Sequence, residues 1–123
     1  MGTILIVDDE RDMVRMMARV LEDQGHRVVC AAGRDTALDM LRTDDIDLVI
    51  IDRDLPQLHG REVSSRIRSQ PETASLPVVM MTAVHVSLRE ATAAVETGVD
   101  EFLFKPFMAE TLVHNVERLL DRS

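Results

Sequence analysis

Two kinds of segment alternate along the chain. Short runs that are apolar at almost every position are typical of buried strands. They cover residues 3–7, 27–31, 47–52, 78–81 and 101–104. After each run, apolar residues recur at intervals of three and four, which indicates a helix with one buried face. The predicted helices lie at residues 13–21, 35–42, 63–69, 87–96 and from 108 onwards.

Five repeats of strand and helix predict an α/β fold, with a doubly wound, five-stranded parallel sheet flanked by five helices. Strands that are apolar throughout are buried on both faces, so helices should cover both sides of the sheet. The chain shows no linker, low-complexity segment or internal repeat. We therefore expect a single domain over residues 1–123.

The composition of the chain restricts the classes of function that it can have. The formal net charge of −8 argues against a nucleic-acid-binding face and favours solubility or a basic partner. No apolar stretch approaches the ~18 residues of a membrane span, and the amino terminus lacks the basic flank of a signal peptide. We expect a cytoplasmic protein without membrane contact. The single cysteine, Cys30, cannot form an internal disulfide, and its apolar neighbours predict a buried, inert thiol.

Reactive side chains follow the predicted strands at the point where each strand ends. Asp8 and Asp9 follow the first strand, Asp52 ends the third, Thr82 the fourth, and Lys105 the fifth. Parallel strands bring their carboxyl ends to one edge, where α/β proteins bind ligands. Clustered carboxylates repel unless a hard cation such as Mg²⁺ joins them. Carboxylates, a hydroxyl and an ammonium suit phosphoryl transfer, and without a GxxxxGK[ST] phosphate loop the phosphoryl group should end on the protein itself.

Four strings at the strand ends, in this order, resemble the receiver domain of bacterial response regulators in two-component signalling. They are Asp8-Asp9, the run from Asp47 to Asp52 with Leu55-Pro56 and Gly60, Met81-Thr82-Ala83, and the run from Phe102 to Phe107. The resemblance covers essentially the whole chain. It implies a flavodoxin-like fold similar to the chemotaxis regulator, with strand order 2-1-3-4-5.

The resemblance also assigns the chemistry of the acidic residues. It implies that Asp52 is the phosphoacceptor and becomes an aspartyl phosphate. Asp8 and Asp9 would position Mg²⁺ together with Asp52 and the backbone carbonyl of Asp54. Asp54 departs from the family pattern, which more often has an uncharged side chain there, and His59 stands where the family often has an acid.

The resemblance assigns a switch as well. Thr82 would bind a phosphoryl oxygen, Lys105 would pair with Asp52 or its phosphoryl group, and Phe102 would turn inward when Thr82 moves. A histidine kinase or phosphotransfer protein in a phosphorelay would be the donor, and a downstream protein or output domain the recipient. The chain would be a monomer or a phosphorylation-dependent dimer. It would catalyse only its own phosphorylation and slow dephosphorylation, with no turnover of an external substrate.

Other interpretations compete with this one. The sequence Asp52-Arg53-Asp54 fits the DxD motif of haloacid-dehalogenase-like phosphatases, with Asp52 as nucleophile, but that family carries its acidic metal pair after the lysine. A third interpretation is an interaction module that cannot be phosphorylated. Such a module would lack a residue of the phosphorylation site, and in this sequence all of them are present. Taken singly, the acids, Thr82 and Lys105 also fit helix caps, turns and solvated surface positions.

Several further residues fit ordinary structural roles. Met13, Met16 and Met17 have the spacing of a buried helix face, and Phe102 and Phe104 should share one face of their strand as core residues. The four histidines show no ligand spacing, and we interpret all of them as non-catalytic. They are His26, His59, His85 and His114.

Overall fold

The computed structural model describes residues 2–53, 60–83 and 98–121. These residues form five strands and four helices. In chain order the elements are β1 (Thr3–Val7), α1 (Arg11–Asp23), β2 (Arg27–Ala31), α2 (Arg34–Thr43), β3 (Leu48–Asp52), α3 (Gly60–Ser69), β4 (Val78–Ala83), β5 (Glu101–Lys105) and α4 (Ala109–Asp121). The predicted strands and four of the predicted helices are confirmed. The helix predicted at residues 87–96 lies outside the described residues.

The five strands form one parallel sheet in the order β2-β1-β3-β4-β5. This order confirms the doubly wound, flavodoxin-like fold class. The chain starts in the interior of the sheet, moves to one edge with β2, and then crosses back over β1 towards the other edge. The order leaves β2 and β5 as edge strands, while β1, β3 and β4 each pair with neighbours on both sides.

Side chains alternate between the two faces of the sheet and form two separate cores. On one face, Ile4, Ile6 and Ile50 pack with residues of α1 and α4, which we call the α1–α4 layer. On the other face, Leu5 and Val7 pack with residues of α2 and α3, which we call the α2–α3 layer. Because strand residues in both cores are fully buried, the apolar runs of the sequence are explained by burial on both faces.

A polar clamp holds the amino ends of β4 and β5. The guanidinium of Arg68, on α3, donates to the carbonyl oxygens of Ala74 (3.2 Å) and Leu76 (2.5 Å) and to the carboxylate of Asp100 (2.6 Å). Gly98 has φ +90°, and a Cβ at this position would overlap the side chain of Arg68. Glycine is therefore required here both for its backbone conformation and for its lack of a side chain.

Three expectations about burial were wrong. Cys30, on the edge strand β2, is exposed, because it borders an open cavity beside α1 that no side chain of the described residues fills. Within the methionine stripe of α1, Met17 is fully buried but Met16 is 39% exposed at the margin of the buried face. Phe104, on the other edge strand, is 45% exposed.

None of the described helices is long and apolar enough to cross a membrane.

Candidate functional site

The carboxyl edge of the sheet brings the predicted acids together. Val7 pairs in register with Ile51, so Asp8 follows β1 at the level where Asp52 ends β3. Backbone bonds fix both positions: the amide of Asp8 donates to the carbonyl of Ala31 at 3.0 Å, and the amide following Asp52 donates to the carbonyl of Met81 at 2.9 Å. We call this edge, with Asp8, Asp9 and Asp52, the acidic edge.

Strand alternation places the reactive groups of the site on one face. Ile6, Ile50 and Leu103 belong to the α1–α4 layer. Two residues beyond each of them come Asp8, Asp52 and Lys105, and side chains two positions apart on a strand share a face. Three different strands therefore deliver two carboxylates and one ammonium to the same side of the same edge.

The ammonium of Lys105 forms an ion pair with the carboxylate of Asp52. The distance from Lys105 Nζ to Asp52 Oδ2 is 2.6 Å, and the side chain of Asp52 is 1% exposed. Removing a carboxylate from water is costly unless an opposite charge or hydrogen bonds compensate. The lysine supplies that charge from β5, and its own side chain remains 21% exposed. The prediction that these two residues meet is confirmed by this distance.

Asp8 is a buried carboxylate with one incompletely satisfied oxygen. Its Oδ1 accepts a hydrogen bond from the backbone amide of Glu10 at 2.9 Å. Its Oδ2 is buried and has no hydrogen-bond partner in the described part of the chain. Burial raises the pKa of Asp8 to about 6, the negative charge of Asp52 adds to the rise, and the Glu10 amide and Lys105 oppose it. A cation bound beside Asp8 would therefore stabilise its ionised carboxylate.

The carboxylate of Asp9 is placed differently from the buried carboxylates of Asp8 and Asp52. The side chain of Asp9 is exposed, and Asp54, whose carbonyl was predicted as a ligand, lies outside the described residues. Within residues 2–53, 60–83 and 98–121, no three His, Cys, Asp or Glu side chains are already arranged around a metal position. Mg²⁺ uses only one or two carboxylates and keeps several waters. The unpartnered oxygen of Asp8, with oxygen donors from Asp9 and Asp52 nearby, fits such an ion.

The predicted switch residues lie on the opposite face of the sheet. Thr82 is fully buried and pairs in register with Phe104, and Phe102 pairs with Met80, which belongs to the α2–α3 layer. The rings of Phe102 and Phe104 stack with their centres 5.9 Å apart. Phe102 packs against the α2–α3 layer, so its predicted core role is confirmed, whereas Phe104 is largely exposed.

A cavity of about 440 Å³ adjoins the acidic edge, and the sequence did not indicate it. Asp8 and Asp9 line one end, and Ala18, Cys30 and Ala31 line other parts of the wall. The small side chains of Ala18 on α1 and Cys30 on β2 were the available signal, since they leave space between these two elements. A sequence pattern alone does not show that these positions face one another.

His26 lies at the other end of the sheet from the acidic edge. Its Nδ1 accepts a hydrogen bond from the backbone amide of Gly2 at 3.1 Å, and its Nε2 lies 3.0 Å from the carboxylate of Glu117. With Nδ1 acting as acceptor, the neutral ring carries its proton on Nε2 and donates it to Glu117. His26 thus connects the amino end of β1 to α4, which is a structural role.

Comparison with known proteins agrees with this geometry. Residues 4–117 match the family model for the response regulator receiver domain. The chain is 35% identical over 123 residues to the transcriptional regulatory protein CpxR of Escherichia coli (strain K12), and 36% identical over 120 residues to the response regulator MprA of Mycolicibacterium vanbaalenii. These alignments cover 100% and 98% of the chain but 51% of each relative, so the chain spans about half their length.

Solved structures give the same result. The receiver domain of NtrX from Brucella abortus superimposes with a TM-score of 0.87 at 34% identity, over 98% of this chain and 99% of that one. The sheet order, the strand-end residues and the family match all lead to one assignment. The chain belongs to the response regulator receiver domains of two-component signalling.

Proposed function

We propose that residues 1–123 form one receiver domain that accepts a phosphoryl group on Asp52. The donor is a histidine kinase or a phosphotransfer protein. The observation that carries the proposal is the pairing of the buried Asp52 carboxylate with Lys105 Nζ at 2.6 Å, beside the unpartnered oxygen of Asp8. This arrangement supplies a nucleophile and a fixed positive charge, and a carboxylate suited to a cation stands next to them.

The transfer is a displacement at phosphorus. A carboxylate oxygen of Asp52 attacks the phosphorus of a phosphohistidine donor, and the P–N bond breaks. The electron pair of that bond remains on the donor imidazole, and an acyl phosphate forms on Asp52. Lys105 keeps its positive charge beside the reacting oxygens throughout, which stabilises the negative charge they carry.

A magnesium ion, when bound, would supply positive charge against the phosphoryl oxygens. The carboxylates of Asp8, Asp9 and Asp52, with the backbone carbonyl of Asp54, are the groups that would hold it. Asp8 contributes most to this part of the proposal, because its buried Oδ2 has no partner within the described residues and its pKa is raised by burial. A divalent cation there removes an unfavourable arrangement of charge.

Phosphorylation then acts on the opposite face of the sheet. Three added phosphoryl oxygens at the end of β3 attract the hydroxyl of Thr82 on the adjacent β4, and the space that Thr82 vacates admits Phe102. Thr82 and Phe102 share the face covered by the α2–α3 layer, and this supports the coupling. The changed surface would be read by a downstream protein or an output domain, in a monomer or a phosphorylation-dependent dimer.

We infer the cellular setting from family membership. Such a domain works in the cytoplasm, catalyses only its own phosphorylation and slow dephosphorylation, and does not itself bind nucleic acid or membrane. The net charge of −8 supports the absence of a nucleic-acid-binding face.

Acceptor identity is tested by Asp52→Asn. With acetyl phosphate and Mg²⁺, intact mass should show one added phosphoryl group on the wild type and none on the variant, because the amide is not a nucleophile. Asp45→Asn, which changes an exposed acid, is the matched control and should be labelled like the wild type. Full labelling of Asp52→Asn would disprove the assignment.

The same sample separates the receiver from the phosphatase alternative. Family membership gives that alternative no support. Repeated turnover of small phosphate esters by the wild type, lost in Asp52→Asn, would nevertheless favour it. A single phosphorylation per chain is the expected result.

The switch is tested by Thr82→Ala. The variant should still accept phosphoryl on Asp52 but lose most of the chemical-shift change around Phe102, because the hydroxyl that follows the phosphoryl group is gone. NMR spectra with and without beryllium fluoride and Mg²⁺ measure the change. If the wild type shows no change at Phe102 with beryllium fluoride, the coupling is absent even where the acceptor assignment holds.

A further inference from the structure

The thiol of Cys30 lies on the same face of the sheet as the acidic edge. Cys30 pairs in register with Ile6, and Ile6 belongs to the α1–α4 layer. Asp8 follows two residues after Ile6 on that face, roughly 7 Å further along the strand direction. Cys30 lies on the edge strand β2 and is exposed, so its thiol is open to reagents.

One cavity connects the thiol to the acidic edge. The cavity of about 440 Å³ between α1 and the carboxyl ends of β1 and β2 is lined by Cys30, Asp8 and Asp9, with Val14 and Ala18 on the helix side. Asp8 is 3% exposed, and its Oδ2 has no hydrogen-bond partner among the described residues. The cavity is open to solvent, and its lining also includes Arg11 and Arg15. A volume of this size is large enough for a small molecule.

We propose that Cys30 is a modification site through which small disulfide compounds control the acidic edge. A mixed-disulfide adduct on Cys30 occupies the cavity, covers Asp8 and Asp9, and lowers the affinity of this edge for Mg²⁺. Slower phosphorylation of Asp52 follows, and this last step rests on the function proposed above. The other two parts of the proposal, occupation of the cavity and the lower affinity for Mg²⁺, do not depend on the proposed function.

The reaction is a thiol–disulfide exchange. The Cys30 thiol releases its proton to solvent, and the thiolate attacks one sulfur of the reagent. The reagent's S–S bond breaks, its electron pair leaves on the other sulfur as a thiolate, and a new S–S bond joins Cys30 to the remaining half. Partial burial and the nearby Glu22 carboxylate raise the pKa of Cys30, so modification is faster at mildly alkaline pH than at neutral pH.

The test compares a bulky with a minimal adduct. 2,2′-Dithiodipyridine adds a 2-pyridylthio group, and methyl methanethiosulfonate adds only a methylthio group to the same sulfur. Cys30 is the only cysteine in the chain, so intact mass can verify a single modification. Cys30→Ala treated with each reagent is the control, and dithiothreitol should reverse every effect.

The first readout is placement of the adduct in the metal-free protein. Amide NMR signals of Asp8, Asp9 and Ala18 should shift with the pyridylthio adduct and hardly at all with the methylthio adduct. If shifts are confined to the β2 neighbours of Cys30, the adduct points into solvent and the proposal is wrong. A melting scan without Mg²⁺ shows whether the modified protein is folded.

The second readout is metal affinity. Mg²⁺ titration followed by NMR should give a dissociation constant about fivefold or more weaker for the pyridylthio adduct than for the unmodified protein. Equal affinities would overturn the proposal, as would an unmodified protein whose Asp8 signal does not respond to Mg²⁺. If Mg²⁺ binds and the adduct weakens it, but Asp52 is never phosphorylated, only the proposed function fails.

A cavity-filling variant covers the case in which the bulky adduct unfolds the protein. Ala18→Leu enlarges a side chain in the cavity wall without touching the thiol. It should slow modification of Cys30 by 2,2′-dithiodipyridine more than by methyl methanethiosulfonate. Equal slowing, or none, would show that the adduct does not enter the cavity.

Discussion

Replacement of Asp8 by asparagine should make the metal-free protein less sensitive to pH. Burial, reinforced by the charge of Asp52, raises the pKa of Asp8 from 3.8 to about 6. The folded state therefore binds this proton more tightly than the unfolded state. The resulting stabilisation is fully present below about pH 3.8 and is lost as the pH rises through about 6.

The magnitude follows from the size of the shift. At about 1.4 kcal/mol for each unit of pKa, ionisation of Asp8 removes about 3 kcal/mol of stability in total, most of it between pH 4 and pH 8. Asparagine stays neutral over this range, so that part of the pH dependence should disappear. At pH 8 the buried amide of the variant still costs about 1–2 kcal/mol for its unpaired donors, which leaves a net gain of about 1–2 kcal/mol over the metal-free wild type. The melting temperature at pH 8 should then rise by roughly 3–8 °C.

Calorimetry, or urea denaturation followed by far-ultraviolet circular dichroism, is the assay, because the chain has no Trp or Tyr. Both proteins are measured with EDTA and with Mg²⁺. Mg²⁺ should stabilise the wild type at pH 8, have little effect at pH 4 where protons compete, and have little effect on the variant. Asp12→Asn, an exposed acid on α1, is the matched control and should retain the wild-type pH dependence. Parallel stability curves for wild type and Asp8→Asn from pH 4 to 8 would refute the reasoning.

Two further substitutions test the packing of the sheet. Gly98→Ala should destabilise the fold by about 2–4 kcal/mol in urea denaturation, because φ is +90° and the new Cβ would displace Arg68, whereas Gly33→Ala meets nothing within 4 Å and should change stability by less than about 0.5 kcal/mol. Similar losses of stability for Gly98→Ala and Gly33→Ala would show that the close approach of Arg68 to residue 98 does not matter for stability. Lys105→Met removes the positive charge 2.6 Å from the buried Asp52 carboxylate and should cost about 2–3 kcal/mol at neutral pH, while adding Asp52→Asn should restore more than half of it. Additive losses in that double variant would show that the two side chains do not depend on each other.

The elements of the fold could largely be predicted from the sequence, since periodicity reports burial directly. The predicted bounds of β1 and β2 match the structure, and β3 starts one residue later than predicted, at Leu48. Helix starts are less visible. The apolar spacing of α1 begins at Met13, whereas the helix begins at Arg11, because its first two residues are exposed and carry no apolar signal.

The site could be predicted as far as chain topology determines it. Asp8, Asp52 and Lys105 meet because parallel strands end at one edge, and a strand-end position can be recognised in a sequence. The exposure of Asp9 could not be predicted, since it depends on how the backbone turns after β1. The exposure of Cys30 could not be predicted either, because it depends on how closely α1 packs over β2, which the periodicity of neither segment shows.

The division of the sheet into two faces has a consequence for how such proteins diversify. Asp8, Asp52 and Lys105 face the α1–α4 layer, whereas Phe102 faces the α2–α3 layer. A duplicated gene can therefore accumulate changes in the packing that surrounds Phe102 without touching the residues that we propose to make and hold the acyl phosphate. Copies within one cell can then acquire new recipients while the proposed chemistry is kept. Strand β4 is constrained from both sides, because Met81 packs in the α1–α4 layer while Met80 packs in the α2–α3 layer, on the face that Thr82 shares.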